Sequence, residues 1–321
     1  MRIGLLPAAA LLDFMVGDPW GWPHPVQAIG KVISRYSQWA LRRDRAPWQM
    51  KLAGVGLAFL VIGGSGGVSW LGLQTLGVLS PWLKGGGEVV LLASCLAGRS
   101  LRQAAEDVLT PLAAGDLAKA RQQLALYVGR DTQQLSEEDI RRALLETVSE
   151  NATDGVFAPL CFAILGAFFN LAAPIAVAYK AASTLDSMVG YRREPYTHLG
   201  WFSARLEDGL TWVPCRLSVA LVALYSGKPG HVLRLCWRDA RADPSPNAGW
   251  SECAYAASLG VQLGGENTYK GQRTVKPLLG EATRPITAER IRAALALTRR
   301  VFLTLLFLGC LGGLASGLAS P

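Results

Sequence analysis

Long uncharged apolar runs alternate with polar stretches along the chain. The longest run, residues 52–80, is long enough to cross about 30 Å of hydrocarbon as a helix. Residues 301–319 form a second uncharged run, and residues 210–226 form a third that contains one charged residue, Arg216. No stretch shows the alternation of apolar and polar positions that is typical of half-buried strands. The pattern predicts an all-α, polytopic integral membrane protein with about four to six membrane helices.

Two of the apolar regions suggest helical hairpins. The short run at residues 89–98 is predicted to be the returning arm of a hairpin with the longest run, and the turn is placed at residues 84–87. The run at residues 155–179 carries an asparagine and a proline in its middle. It is compatible with one kinked span and with two half-helices that form a re-entrant hairpin around residues 169–173.

The remaining segments are assigned by their pattern and by their flanking residues. Residues 3–17 are apolar apart from Asp13 and no small-x-small cleavage site follows them, so we interpret them as a retained membrane helix rather than a signal peptide. Residues 99–154 have apolar and charged positions at helical spacing, with interruptions at Pro111 and Gly115. Ser136 and the acidic residue three positions later resemble a capping box that starts a helix.

The carboxyl-terminal third is the least regular part of the sequence. Residues 227–300 are polar and mostly irregular, with a helix predicted at about residues 287–300. We expect one membrane-embedded domain over residues 1–321, in which residues 99–154 and 227–300 are mainly cytoplasmic polar regions.

Composition and charge agree with a membrane protein that has large polar loops. Half of the 321 residues are apolar and 17% are charged, and the mean hydropathy is +0.25. These values exclude a disordered chain and a small disulfide scaffold. The net charge is +8, and basic loops favour the cytoplasmic side. We therefore predict that four loops converge on the cytoplasmic side: residues 18–30, 99–154, 180–208 and 239–272.

Several classes of function are not indicated. The six cysteines include no CxxC pair, and the three histidines are not paired at helical spacing, so a zinc site is not expected. Basic residues do not form a dense run with interleaved aromatics, so nucleic acid is not an expected partner. The sequence also contains no P-loop, no dinucleotide fingerprint, no GxSxG and no HExxH motif.

A stripe of carboxylates precedes the run at residues 155–179. Glu146, Glu150 and Asp154 are spaced four residues apart, which places them on one face of a helix. Oxygen ligands in this arrangement suit Mg²⁺, which usually also binds phosphate. The alternative is a solvated helix face on which Arg142 pairs with Glu146.

Two further motifs offer cations that could bind phosphate. In VGRDT, a glycine is followed by Arg130 and Asp131, and a guanidinium in a turn suits phosphate binding; the alternative is a helix end with a surface ion pair. Arg99 follows an apolar run, where it either contacts phosphate or anchors the helix at the membrane interface.

The segment YKAASTLDSMVGYRREPY, residues 179–196, places Lys180 and Asp186 beside an apolar run. Ionisable groups at a membrane edge are candidates for function, although snorkelling explains Lys180 equally well. Together with Arg192, this segment could attract a polyanion.

Two irregular segments complete the candidate chemistry. In GDPWGWPHP, residues 17–25, proline and glycine exclude a helix and hold Asp18 and His24 beside two tryptophans, which are typical interfacial anchors. Residues 239–271 are rich in proline, asparagine and glycine, and loops of this length tend to be functional or disordered. A phosphate or nucleotide pocket is one interpretation of that loop.

The order of these blocks resembles the CbiB/CobD family, the adenosylcobinamide-phosphate synthases of cobalamin biosynthesis. The resemblance covers residues 11–280. It rests on LLDFMVGDPWGWPHPVQAIGKVI, LAGRSL, YVGRDT, LLETVSENATDGVFAPL, AYKAASTLDSMVGYR, SARLEDGLTWVPCRL, DPSPNAGWSECAYAASLGVQLGG and NTYKG. Each motif is short, but their joint order is highly specific.

The resemblance implies a multi-pass enzyme of the bacterial inner membrane whose active site faces the cytoplasm. Such enzymes join adenosylcobyric acid to (R)-1-aminopropan-2-ol, free or as its O-phosphate, in an ATP-dependent ligation. ATP and Mg²⁺ are the implied cofactors, the lipid bilayer is the setting, and other membrane-associated cobalamin-assembly enzymes are implied partners. Activation of a carboxylate in water requires cationic cover for phosphoryl oxygens and a base for the amine.

Candidate site residues follow from these blocks. The metal ligands are expected among Asp18, Glu150, Asp154 and Asp186. The catalytic residues are expected among Glu150, Asp154, Lys180 and His24. Substrate-binding residues are expected among Arg99, Arg130, Asp131, Asn151, Arg192, Ser245, Asn247 and Asn267. Glu150 and His24 are the candidate bases for the amine.

Two other classes of function remain open from the residues alone. A membrane transporter or binding subunit for corrinoids or other anions would also use broken helices and charges at the membrane. Two features argue against it, since no inverted repeat is present and most unusual residues lie in loops. A non-catalytic scaffold for a membrane-bound corrinoid pathway is the third class.

Overall fold

The protein is a helical membrane protein with one small sheet, as a computed structural model shows for residues 4–18, 21, 24–42, 45–191 and 193–318. Three helices in these ranges are long and apolar enough to cross a membrane: Pro47–Leu79, Glu137–Phe168 and Ala288–Ala315. The all-α prediction is confirmed. The other apolar runs form shorter helices or belong to helices that also contain polar residues. Among the described residues, three helices therefore have the length and apolarity of a membrane span, which is fewer than the four to six predicted.

The helices are numbered in chain order, and π-helical segments interrupt two of the long ones. The helices are α1 (Leu5–Met15), α2 (Pro25–Leu41), α3 (Pro47–Ala58), α4 (Gly64–Leu79), α5 (Pro81–Cys95), α6 (Gly98–Ala113), α7 (Leu117–Leu124), α8 (Glu137–Asn151), α9 (Ala158–Phe168), α10 (Ala172–Val189), α11 (Trp201–Tyr225), α12 (Pro229–Asp239), α13 (Ala248–Leu259) and α14 (Ala288–Leu318). The π segments are Phe59–Gly63 and Ala152–Phe157, and a 3₁₀ turn covers Ala240–Ala242. The strands are β1 (Gln262–Tyr269) and β2 (Gln272–Gly280).

The chain divides into two compact units, and each is described by itself. The first unit contains Met1–Ala97, Ala158–Thr211 and Leu305–Pro321. The second contains Gly98–Phe157 and Trp212–Thr304. One domain over the whole chain, with cytoplasmic polar regions, stays a prediction.

The hairpin of α4 and α5 confirms the predicted pairing of apolar runs but corrects the position of the turn. The turn lies at Ser80, whose side-chain oxygen accepts a hydrogen bond from the Trp82 N–H at 3.2 Å. Residues 84–87 lie inside α5 instead of forming the turn. The physical reason is close packing, because a Cβ at Gly87 would lie 2.8 Å from the Leu76 side chain on α4.

The run at residues 155–179 is broken into two helices, whereas a re-entrant position of these helices in the membrane stays a prediction. Helix α9 ends at Phe168 and α10 begins at Ala172. Asn170 adopts φ 58° in the short turn between them. Gly166 allows the turn to close, because a Cβ there would lie 2.6 Å from the Leu171 carbonyl oxygen.

A cluster of buried aliphatic side chains on α2, α3 and α10 forms a core of the first unit, including Ile33, Leu57 and Leu185. Backbone contact completes it, because Gly54 on α3 packs directly against the carbonyl oxygen of Leu199. A side chain at this position would overlap that backbone atom.

In the second unit, two local predictions at α6 and α8 have different outcomes. The side-chain oxygen of Ser136 accepts a hydrogen bond from the Asp139 N–H at 3.1 Å, which confirms the predicted start of α8. Pro111 does not interrupt the chain, because α6 continues through it to Ala113. The interruption is at Gly115, which has φ 78°.

The prediction that residues 227–300 are mostly irregular is wrong, because they form α12, α13, an antiparallel hairpin and part of α14. The hairpin closes with two residues, Lys270 at φ 51° and Gly271 at φ 78°. Such turns are usually marked by Asn-Gly or Asp-Gly, so Lys-Gly did not predict one. Helix α13 ends at Gly260, which adopts the left-handed conformation.

We predict that Gly54→Ala lowers the stability of the protein by about 1–3 kcal/mol, because the new methyl group overlaps a backbone oxygen that cannot move freely. In an unobstructed helix the same change stabilises by about 1 kcal/mol. Gly67→Ala in α4 is the matched control, since no heavy atom lies within 4 Å of its new Cβ. Thermal unfolding in detergent measures both; equal midpoints for the two variants would contradict the prediction.

Candidate active site

The second unit holds a cluster of charged side chains between α8, α13 and the hairpin, which we term the polar cluster. Its members are Arg130, Arg142, Glu146, Glu150, Asp243, Glu252, Asn267 and Lys276. Burial distinguishes the cluster from a solvated charged surface, since the exposed fraction is 1% for Glu146, 0% for Glu252 and 4% for Asn267.

Glu146 is held from three sides. Its Oε2 pairs with the Arg130 guanidinium, and its Oε1 accepts a hydrogen bond from the Gly264 N–H of β1 at 2.9 Å. Arg142 lies 3.4 Å from the same carboxylate, as expected for residues four apart. Glu146 is therefore not on a solvated face. Two guanidinium groups balance its negative charge, so it does not require a metal ion.

Arg130 and Asp131 attach the hairpin to the helices. Arg130 donates to the Asn267 side-chain oxygen at 2.7 Å. The carboxylate of Asp131 accepts hydrogen bonds from the N–H groups of Lys270 and Gly271 at 3.1 and 2.7 Å. The VGRDT motif thus binds the hairpin turn, and the structure brings together three predicted residues, Arg130, Asp131 and Asn267.

The other half of the cluster lies around a lysine from the sheet. Lys276 on β2 lies 3.3 Å from Glu252 Oε1 on α13. Glu150 and Asp243 interact electrostatically with both of these groups. Sequence reasoning missed Asp243, Glu252 and Lys276. The sequence offered one indication of Glu252, because this residue is a glutamate within the otherwise mostly apolar sequence of α13.

Burial dominates the electrostatics of Glu252. Burial and, to a smaller extent, the neighbouring carboxylates raise the pKa of this carboxyl against the attraction of Lys276, and the net result is a shift from the ordinary 4.5 to about 8. Burial lowers the pKa of Lys276, but four surrounding carboxylates outweigh it, so the net shift is upward. Lys276 is therefore a charged lysine, and Glu252 is the group that gains a proton.

Three buried polar atoms of the cluster have no hydrogen-bond partner among the described residues: Glu252 Oε2, Asp243 Oδ2 and Asn267 Nδ2. Buried polar groups are nearly always satisfied in folded proteins. The cluster also carries surplus negative charge, since four carboxylates face only Arg130, Arg142 and Lys276. A proton on Glu252 neutralises this surplus negative charge, and a bound cation would neutralise it equally well.

The loop before α13 is ordered by its own polar side chains. Asp243 Oδ1 accepts a hydrogen bond from the Ser245 N–H at 2.8 Å, and Ser245 Oγ accepts one from the Ala248 N–H at 3.1 Å. Asn247 is buried, and its side-chain oxygen accepts a hydrogen bond from Arg216 at 3.2 Å. The predicted residues Ser245 and Asn247 thus fix the position of Asp243.

The other predicted residues of the second unit lie at its edges. Asn151 is exposed and donates to the Thr147 carbonyl oxygen at 2.9 Å. Asp154 is partly buried and lies in the π segment. The predicted stripe assumed a regular α-helix with carboxylates four residues apart, and that regular helix ends before Asp154. Arg99 is partly exposed at the start of α6.

The first unit holds the remaining predicted residues that the structure describes. His24 Nε2 lies 3.0 Å from Asp18 Oδ1, while His24 Nδ1 accepts the Val26 N–H at 3.2 Å and caps α2. Nε2 therefore carries the proton that faces Asp18. Lys180 and Asp186 lie on α10. Arg192 and the two tryptophans of the 17–25 segment lie outside the described residues.

Another chain of polar groups in the first unit was not predicted. The buried Glu207 accepts a hydrogen bond from Thr211, whose hydroxyl lies 2.8 Å from the Tyr179 hydroxyl. Tyr179 in turn stacks on Phe162 with ring centroids 4.6 Å apart. These contacts position the neighbouring part of α10.

The described residues form no group of three or more histidine, cysteine, aspartate or glutamate side chains arranged to hold a metal ion. Mg²⁺, however, often takes only one or two protein carboxylates and completes its shell with water and phosphate. The partly exposed Glu150 fits that more limited role.

We predict a loss of stability as pH rises from about 5 to about 8, because the folded protein holds a proton on Glu252 that the unfolded chain releases near pH 4.5. The stabilisation is complete below the unfolded pKa and disappears above the folded pKa. Thermal midpoints in detergent across this range should fall further for the native protein than for Glu252→Gln. Parallel pH profiles would contradict the assignment.

Comparisons with known proteins now identify the family. A family profile described as "CobD/Cbib protein" matches residues 6–298. The chain is 52% identical over 307 residues to the cobalamin biosynthesis protein CobD of Synechocystis sp., covering 95% of this chain and 90% of the relative. It is 43% identical over 293 residues to the cobalamin biosynthesis protein CbiB of Salmonella arizonae, covering 90% of each. No solved structure matches. The chain therefore belongs to the CobD/CbiB family of cobalamin biosynthesis proteins.

Proposed function

We propose that the protein forms the amide between adenosylcobyric acid and (R)-1-aminopropan-2-ol, free or as its O-phosphate, and that the polar cluster is its active site. The product is adenosylcobinamide or its phosphate. One observation carries the proposal: a buried cluster of both charges contains three polar atoms that no group of the described residues satisfies. A site that binds a carboxylate, an amine and phosphoryl oxygens needs both charges at close range.

The proposed reaction begins with transfer of the γ-phosphoryl group of ATP to the corrinoid carboxylate, which yields an acyl phosphate and ADP. The amine nitrogen then attacks the acyl carbon, the C–O bond to phosphate breaks, and the nitrogen loses a proton. The products are the amide and inorganic phosphate. The amine must be unprotonated when it attacks, so a carboxylate has to accept its proton.

The residues of the cluster have distinct roles in this proposal. Lys276 provides the cation that stabilises the oxygens of the carboxylate and the acyl phosphate. The free Nδ2 of Asn267 donates to one of these oxygens, and Arg130 positions Asn267 by binding its other end. Glu150 is the candidate base and faces Lys276 from α8.

ATP and Mg²⁺ are part of the proposal. Glu150 would provide one protein ligand to the ion and Asp154 a second, and bound Mg²⁺ would neutralise phosphoryl charge. Two further metal ligands, Asp18 and Asp186, stay predictions for the first unit. The same holds for the expected base His24, for the expected catalytic residue Lys180 and for the expected substrate-binding residue Arg192. We also propose the bacterial inner membrane as the location, with the site facing the cytoplasm because ATP is there.

We predict that Glu150→Gln reduces amide formation at least about 100-fold, since both the proposed base and a metal ligand are lost. Membrane insertion and the thermal midpoint should be preserved, and the Mg²⁺ dependence of nucleotide binding should weaken. Product is measured by mass spectrometry on the purified protein with ATP, Mg²⁺ and both substrates. Glu138→Gln, an exposed site in the first turn of α8, is the control and should retain activity.

Two outcomes would contradict this proposal in different ways. If Glu150→Gln and Asp154→Asn both keep near-normal turnover at limiting Mg²⁺, the site has to be sought around Asp18 and Asp186. If proteoliposomes accumulate corrinoid while the purified protein forms no amide, the protein is a transporter instead of a ligase.

A further inference from the structure

Two carboxylates of the polar cluster share an unusual pattern of hydrogen bonding. Glu252 uses Oε1 to pair with Lys276, and Asp243 uses Oδ1 to accept the Ser245 N–H. The second oxygen of each, Glu252 Oε2 and Asp243 Oδ2, is buried and has no partner among the described residues. A Cβ at Gly249 on α13 would lie 2.5 Å from the Cβ of Asp243, and Glu252 follows one turn later on the same helix, so Asp243 and Glu252 lie on the same side of α13.

The ligand that fits this location must donate hydrogen bonds and carry positive charge. When Glu252 is ionised, both unsatisfied atoms are acceptors and the cluster has more carboxylates than cations, so a bound cation takes the place of the proton that Glu252 otherwise holds. The half-buried Asp139, which lies 3.1 Å from Arg142, adds a further carboxylate at the edge of the cluster. A neutral hydroxyl would donate one hydrogen bond but would leave the charge unbalanced. A primary ammonium provides three N–H donors and one positive charge.

A metal ion fits the same two oxygens less well. The described part of the chain offers no third histidine, cysteine or carboxylate arranged with them. Lys276 lies beside one of the two carboxylates, and its charge repels a divalent ion more strongly than a monovalent ammonium. Asn267 Nδ2, the third unsatisfied atom, is a donor and suits an oxygen of the ligand.

We propose that Glu252 Oε2 and Asp243 Oδ2 form the subsite that binds the primary ammonium group of the amino-alcohol substrate. This inference rests on the proposed function for the identity of the substrate and adds the two residues that bind its amino end. The charge-assisted hydrogen bonds hold the nitrogen in the cluster before its proton is removed. Glu252 and Asp243 are thus substrate-binding residues, separate from the base.

The test is equilibrium binding of aminopropanol phosphate to the purified full-length protein in nanodiscs, without ATP or corrinoid. The matched probe is 1,2-propanediol 2-phosphate, in which a hydroxyl replaces the amine. We expect the native protein to bind aminopropanol phosphate at least about tenfold more tightly than the diol phosphate. A difference of this size corresponds to the loss of one charge-assisted hydrogen bond. Glu252→Gln and Asp243→Asn should each remove most of this preference.

Glu266→Gln is the control, because that carboxylate is exposed on β1 and pairs only with Arg273 among the contacts described for its side chain. It should retain the preference for the amine. Thermal midpoints identify a variant that fails to fold, and Asp243→Asn then tests the subsite if Glu252→Gln does not fold. Equal binding of the two ligands by the native protein, or an unchanged preference in both folded variants, overturns the proposal.

Failure of the subsite and failure of the proposed function give different results. If the purified protein forms the amide while both variants bind the amine normally, the function stands and the subsite is wrong. If the protein shows the predicted binding preference but forms no amide with ATP and corrinoid, the subsite stands and the proposed reaction is wrong.

Discussion

The buried contact between Arg130 and Glu146 is the interaction on which the second unit depends. Removing one partner of a buried ion pair leaves the other charge unpaired, at a cost of about 3–5 kcal/mol. The pair joins α8 to the segment before it, and Arg130 extends the contact to Asn267 on β1. Because the Gly264 N–H also binds Glu146, the hairpin has one position against the helix. The position of Lys276, which lies on the same hairpin, follows from that attachment.

The hairpin brings chemistry that the helices lack. Its first strand contributes Asn267 and its second contributes Lys276, the cation that faces α13. The turn between the strands is bound by Asp131, so both ends of β1 are tied to the same helical frame. A two-stranded sheet is marginally stable alone. Its stability therefore depends on the same arginine and carboxylates that surround the candidate site, and the site and the sheet form together.

The sequence predicted the helices better than it predicted their partners. Apolar runs and the Ser136 cap located helices correctly because these features act within a few residues. Motif reasoning also selected Arg130 and Asn267, although 137 positions separate them and their contact was not foreseen. Glu252 and Lys276 were missed because only tertiary packing shows that a polar residue in an apolar helix faces a strand lysine. The Lys-Gly turn was missed because its conformation is imposed by contacts with Asp131 rather than by local preference.

The glycines of α5 have a consequence for how the first unit assembles. Gly85, Gly86 and Gly87 are adjacent, and each glycine weakens an isolated helix by about 1 kcal/mol relative to alanine. A segment of 15 residues with such a centre has little helical tendency of its own. At Gly87, the side chains of Leu76 and Leu73 on α4 occupy the space that the missing side chain leaves. The stability of helix α5 therefore depends on its packing against α4, and the two helices form one structural unit.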